Sequence, residues 1–252
     1  MKTLHLVGAV LALLLLDRSA AAAETVTAVT EDAYPMSYAR NGKVEGQATM
    51  LVEETLRRSG VDYKMELYPW ARALYMASNE NNILIYSIAR TPERENQFKW
   101  VGEIVPIKYS FYKLRDRQDI AVKEMEDAKK YRIGVLKGDL RVKYLNQEGF
   151  KDQLEEVSNN SINLKKLEAG RIDLVPISRA GLEGLCHAEG LDCAKFEAVI
   201  DLGLPPIHLY MAFSKTTPDA LVERVQNAYN KLKEEGALQR ILPNFWQGTP
   251  RR

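Results

Sequence analysis

Apolar and polar positions divide the chain into two cycles of strands and helices. The first cycle begins at "TVTAVT" (25–30), which alternates as a strand does, and passes through the turn-rich loop "AYPMSYARNGKVEG" (33–46). In "QATMLVEETLRRSG" (47–60), Met50, Leu51 and Leu56 share a helical face and Gly60 is placed to end the helix. "VDYKMELYPW" (61–70) reads as a strand, "ARALYMASNE" (71–80) as a short helix, and the branched, aromatic run at 84–88 as a buried strand. This order predicts a sheet covered by helices.

The second cycle opens with the strand "YRIGVLKGD" (131–139) and the helix "LRVKYLNQEGF" (140–150). A further helix, a glycine turn and a strand follow in "LKKLEAGRIDLVPIS" (164–178). Between the cycles runs the extended segment "VPIKYSFYKLRD" (105–116), and after the second runs "LPPIHLYMAFSK" (204–215). A long amphipathic helix, capped by Thr217 or Asp219, then ends near Gly236. The expected architecture is α/β with two lobes, each a mixed sheet flanked by helices, joined by two crossing strands. One lobe takes residues 24–112 and 208–252, the other 113–207.

The first 23 residues stand apart. Lys2, an apolar run from Leu4 to Leu16 and a small-residue stretch read as a secretory signal peptide cleaved after about Ala23, with an uncleaved anchor as the other reading. The expected location is the periplasm. Without this segment, which holds Lys2, Arg18 and Asp17, the 35 basic and 34 acidic residues become 33 of each. A neutral chain with no basic block argues against a nucleic-acid partner. Cys186 and Cys193 flank six residues in "GLCHAEGLDCAKF", and in an exported protein they most simply form a disulfide. His187 between them raises a metal site as the alternative, but no CxxC or HExxH spacing accompanies it, so no metal and no cofactor are expected.

The stretch "LIYSIARTPEREN" (84–96) carries candidate chemistry. Thr91 fits an N-cap and Pro92 a first helical position, which puts Arg94 in the first turn, where a cation faces the positive end of the helix dipole. Two readings stand. Glu93 and Glu95 pair with Arg94 or Arg90 at the surface, as exposed charges commonly do. Alternatively, a guanidinium at the carboxyl end of a strand clamps a small anion.

Taken in order, "YPMSY…G", "SIARTPEREN-FKWVG", "RIGVLKGD", "LEAGRID" and "HLYMAFSK" resemble the type II periplasmic solute-binding proteins, in particular the amino-acid-binding branch, bacterial extracellular solute-binding family 3. The resemblance covers nearly the whole chain after the leader. It implies that Arg94 grips a ligand carboxylate, with Ser87 and Ala89 in neighbouring pocket positions. It also places Tyr34, Tyr38, Trp70 and Arg72 in regions that wall the cleft, although core packing is open for each aromatic residue. Trp100 fits lobe packing better than ligand contact, and Asp173 fits support of its turn.

Three positions depart from the family pattern. Gly138 is followed by Asp139 and Leu140 where Thr or Ser commonly helps to hold the carboxylate, and an acid there repels a carboxylate or attracts an amine. The position for an acid that meets the ligand ammonium is Ser178, followed by Arg179. "NENN" (79–82) replaces the usual G-x-x-D before the strand. The leading expectation is a monomeric, non-catalytic binder that takes a small carboxylate-bearing solute and presents it to a membrane permease of an ABC importer or to a sensor. A dehydratase-like enzyme on the same fold, with Asp139 or Glu103 as acid or base, and a sensory or scaffold protein are the alternatives. No Ser/His/Asp order or paired-carboxylate motif supports catalysis.

Overall fold

A computed structural model describes residues 25–204 and 207–243, so the expected signal peptide at 1–23 lies outside the described residues. The first sheet has the order β4-β1-β5-β12-β6, built from Tyr63–Leu67, Val26–Thr30, Ile83–Ala89, Ile207–Ser214 and Phe98–Ile107. β4, β1 and β5 run parallel, while β12 lies antiparallel between β5 and β6, so the sheet is mixed. Helices α1 (Gln47–Ser59), α7 (Asp219–Glu234) and α8 (Ala237–Ile241) cover one face, and α2 (Trp70–Asn79) covers the other. A small ribbon, β2 (Tyr38–Arg40) with β3 (Lys43–Glu45), precedes α1.

β5 shows how alternation builds two cores. Leu84 and Tyr86 enter the α1/α7 side, Ile83 and Ile85 the α2 side, as a period of two requires. After Ser87 the parity reverses: Ile88 joins the α2 side and Ala89 the α1 side. The cause is a β-bulge, since Tyr86 and Ile88 pair with consecutive residues Met211 and Tyr210, leaving Ser87 unpaired at φ 59°.

The second lobe contains an antiparallel sheet β10-β7-β11, from Val175–Ile177, Ser110–Leu114 and Phe196–Asp201. The parallel pair β8 (Ile133–Leu136) and β9 (Leu154–Val157) joins it through the Ile133–Leu174 bridge. Phe111 packs with Leu145 and Phe150 on one side; its neighbour Tyr112 packs with Leu164 and Leu182 on the other. The helices are α3 (Met125–Ala128), α4 (Leu140–Gln147), α5 (Asn160–Glu168) and α6 (Arg179–Glu189). Cys186 in α6 is disulfide-bonded to Cys193, with 5.5 Å between their Cα atoms. The chain leaves the first sheet after Ile107 and enters the second at Ser110, a few residues before the boundary drawn at 112/113; it returns between Asp201 and Ile207.

Several local expectations change. Met50 is 56% exposed, because α1 turns Leu51, Val52 and Leu56 inward and Met50 falls off that arc. Residues 91–97 form successive turns instead of a helix, with Arg94 N–H on Thr91 O at 3.0 Å and Gln97 N–H on Arg94 O at 2.9 Å. The dipole penalty inferred for Arg94 is therefore absent. Pro218 occupies the N-cap of α7 without a side-chain cap: Thr217 pairs with the Ser214 hydroxyl at 2.8 Å, and Asp219 reaches Lys99 at 2.5 Å. Gly60 does close α1 in the left-handed region, at φ 67°.

Candidate functional site

The loops that leave β1, β5, β8 and β10 at their carboxyl ends line one cavity of ≈ 110 Å³ between the lobes. Open α/β sheets collect ligands at this edge because the strands stop together and the loops above them are free to vary. Its walls are mainly apolar, with Met36, Trp70, Val105, Ile107, Ile177 and Leu185 among them. The polar groups are few and fall into two kinds.

Some are already satisfied by the protein. Asp139 caps α4 by accepting the Arg141 N–H at 2.8 Å, and its carboxylate takes the Arg141 guanidinium at 2.6 and 3.0 Å. Arg141 also donates to Pro176 O at 2.6 Å and lies over the Tyr109 ring at 4.7 Å. Burial alone would raise the Asp139 pKa, but the charge and hydrogen bonds of Arg141 outweigh it and hold the carboxyl below its ordinary value. Ser178 is likewise committed, its hydroxyl accepting the Gly181 N–H at 3.1 Å to cap α6. Lobe two thus neutralises its own acid and caps its own helices.

Others remain open. The Arg94 guanidinium lines the cavity, donates from Nη1 to Ala89 O at 3.3 Å, and forms no ion pair among the described residues. Both neighbouring acids are engaged elsewhere: Glu95 takes Arg90 at 2.6 Å, and Glu93 takes Lys143 of the other lobe at 2.8 Å. Burial lowers the Arg94 pKa, and the charges of Asp139 and Glu93 offset that only in part. Glu31, directly after β1, also lines the cavity and is half-buried with no side-chain partner among the described residues. Burial and then the nearby Asp139 charge push its carboxyl up to about 8. The Ser87 hydroxyl, which the bulge turns into the cavity, is enclosed and has no hydrogen-bond partner among the described residues. A non-glycine residue held at positive φ costs roughly 1–3 kcal/mol, and such strain gathers where side chains are aimed for function.

The residues expected at the site separate accordingly. Arg94, Ser87, Ala89, Trp70, Tyr34, Asp139, Leu140 and Ser178 line the cavity. Arg90 does not: it is paired with Glu95 and held between Trp100 and Tyr210 at 5.2 and 5.3 Å, beside a separate groove. Arg72 is exposed and stacks over Tyr68 at 4.9 Å, and Tyr38 stands behind Tyr34, bonded to Arg40. Trp100 packs on Phe98 and Tyr210, and Asp173 fixes its turn by accepting from the Arg132 backbone at 3.0 Å. Glu31, Tyr109, Arg141 and Asn160 line the cavity as well and were missed. Glu31 carried a legible signal, an acid at the carboxyl end of a strand; Arg141 and Asn160 carried none, being ordinary helix residues in sequence.

The lobes meet directly at the cavity rim. Trp70 Nε1–H donates to Gly138 O at 3.2 Å, and the Tyr34 ring stacks on His187 at 4.9 Å. Gly184 of α6 lies so close to the Tyr34 carbonyl that an added Cβ would stand 1.9 Å from it.

These features define a two-lobed binding protein, and the chain belongs to the bacterial extracellular solute-binding proteins, family 3, whose profile matches residues 26–248. Its fold is that of the type II periplasmic binding proteins. Among solved structures it is similar to a histidine kinase sensor domain related to periplasmic binding proteins (TM-score 0.78, 15% identity, covering 89% of this chain and 96% of that one). It is also similar to the arginine-, lysine-, histidine-binding protein ArtJ of Geobacillus stearothermophilus (TM-score 0.74, 16% identity, 90% and 96% covered). A third structure comes from work on glutathione import through GshT and the cystine importer TcyBC of Streptococcus mutans (TM-score 0.75, 18% identity, 88% and 94% covered). A search of curated proteins gives no match.

Proposed function

We propose that this family 3 protein captures a small amino-acid-like solute between its lobes, with Arg94 taking the carboxylate. The observation that carries the reading is the Arg94 guanidinium, which lines an apolar cavity while both adjacent acids are bound elsewhere. A desolvated guanidinium gains most from a bidentate carboxylate. Ser87 adds a hydroxyl to that end, and Glu31 offers a carboxyl to an amine. Trp70 and Tyr34 close over the solute from the first lobe, and Leu140 and Ser178 from the second. Asp139 acts through Arg141 and not on the solute, since its charge is already compensated.

The protein is exported, loses residues 1–23, and works without turnover. Closure of the lobes, the first built on the chain up to Ile107 and from Ile207 on, the second on Ser110 to Asp201, is what a membrane partner reads. That ArtJ binds arginine, lysine and histidine supports an amino-acid solute, and the likeness to a sensor domain keeps a sensor beside a permease as the partner. The test is a thermal-shift screen against amino acids, amines, small organic acids and short peptides, run on wild type and Arg94→Ala, because a ligand bound only to the folded state raises its stability. We expect a carboxylate-bearing amino compound to stabilise the wild type and Arg94→Ala to lose at least 30-fold in affinity, about 2 kcal/mol or more. Stabilisation by amines alone, or equal response of Arg94→Ala, refutes the reading.

A further inference from the structure

Asn160 is the first residue of α5, yet its side chain has no structural task there. The helix is capped by Asn159, whose Oδ1 accepts the Ser161 N–H at 2.6 Å. The Asn160 Oδ1 is instead enclosed at the cavity and receives no hydrogen bond among the described residues. Enclosing a carbonyl oxygen without a donor is unfavourable, so such an atom asks for a partner that arrives from outside.

The remaining polar inventory says what that partner must be. Asp139, Arg141 and Ser178 satisfy one another or their own helices. Among the described residues three groups with a clear polarity are left: the Arg94 guanidinium, a donor only, and two acceptors, the Asn160 oxygen and the exposed Asp32 carboxylate at the rim; Glu31, which keeps its proton up to about pH 8, can donate as well as accept. The Ser87 hydroxyl can serve either way. A guest that completes the cavity brings one anionic acceptor and N–H donors. A dicarboxylate matches Arg94 but brings no donor to the Asn160 oxygen.

Building on the carboxylate reading of Arg94, we infer that Asn160 is a specificity-determining residue of the second lobe, whose side-chain oxygen accepts an N–H of the solute and so selects amino compounds over N–H-free carboxylates. Selection arises because the wrong guest leaves an enclosed acceptor unpaired.

Calorimetric titration with L-arginine, L-histidine and L-glutamine, beside butyrate, succinate and glutarate, tests this on wild type, Asn160→Ala, Asn160→Asp and Arg94→Ala. We expect at least one amino acid to bind the wild type more tightly than every N–H-free acid. Asn160→Ala weakens that amino acid about tenfold, a hydrogen bond to a charged group, and leaves the acids within about twofold. Asn160→Asp, which keeps the oxygen and suits a first-turn position, binds it at least as tightly. Unchanged preference in Asn160→Ala overturns the inference. So does loss of binding in Asn160→Asp, since the amide nitrogen would then face the guest. Arg94→Ala with unaltered binding, or no binding of any of the six to the wild type, instead removes the carboxylate reading and this inference with it.

Discussion

Replacing Glu31 by Gln isolates the electrostatic cost of the cavity. Burial and Asp139 raise the Glu31 carboxyl from its ordinary value of 4.5 to about 8. Between those values the folded protein holds a proton that the unfolded chain has released. Stability from Glu31 is therefore complete below about pH 4.5 and is lost as pH rises towards 8. At about 1.4 kcal/mol per unit, the ceiling is roughly 5 kcal/mol; solvent at the half-buried carboxyl reduces the expected effect to about 2–3 kcal/mol. Glutamine keeps the shape and cannot ionise, so Glu31→Gln exceeds the wild type by that amount at pH 8 and matches it within about 0.5 kcal/mol at pH 4.5. Urea denaturation of both proteins at pH 4.5, 6 and 8 measures the difference, in which titrating groups not coupled to Glu31 cancel. A difference that stays constant across this range means a well-hydrated carboxyl and refutes the argument.

Two further substitutions test the geometry around the cavity. Gly184→Ala places a methyl 1.9 Å from the Tyr34 backbone carbonyl, a clash that no rotamer relieves, so the lobes are held apart. We expect an unchanged melting temperature within a few degrees, a larger radius of gyration in solution scattering with solute present, and at least tenfold weaker capture; wild-type affinity rules out closure through this contact. Ser87→Gly relieves the strain at φ 59° but adds chain entropy, terms of about 1 kcal/mol each, so stability changes by less than about 1 kcal/mol. Its loss is the hydroxyl: calorimetry that finds undiminished solute affinity excludes Ser87 from the site.

Much of this architecture was readable along the chain because it rests on local patterns. The strand-helix order, the end of α1 at Gly60 and the Cys186–Cys193 bridge depend on residues near one another in sequence. Arg94 was singled out for the same reason, by its position just beyond a buried strand. The turn expected to hold it was less secure: Pro92 permits a helix, but only successive turns form, and no capping box reinforces one.

Which charges are free was decided by distance in space. Arg90 and Arg94 sit in one turn and look equivalent, yet Glu95, Trp100 and Tyr210 claim Arg90, while Lys143 from the other lobe draws Glu93 away from Arg94. Asp139 reads as an open acid until Arg141 folds back onto it and reaches Pro176. Asn160 and Glu31 gain meaning only when both lobes enclose them. Sequence periodicity fixed the elements because backbone hydrogen bonding and apolar alternation act over a few residues; the capture of Glu93 by Lys143, the anchoring of Arg141 on Pro176 and the enclosure of polar atoms followed from tertiary packing, where partners lie tens of residues apart.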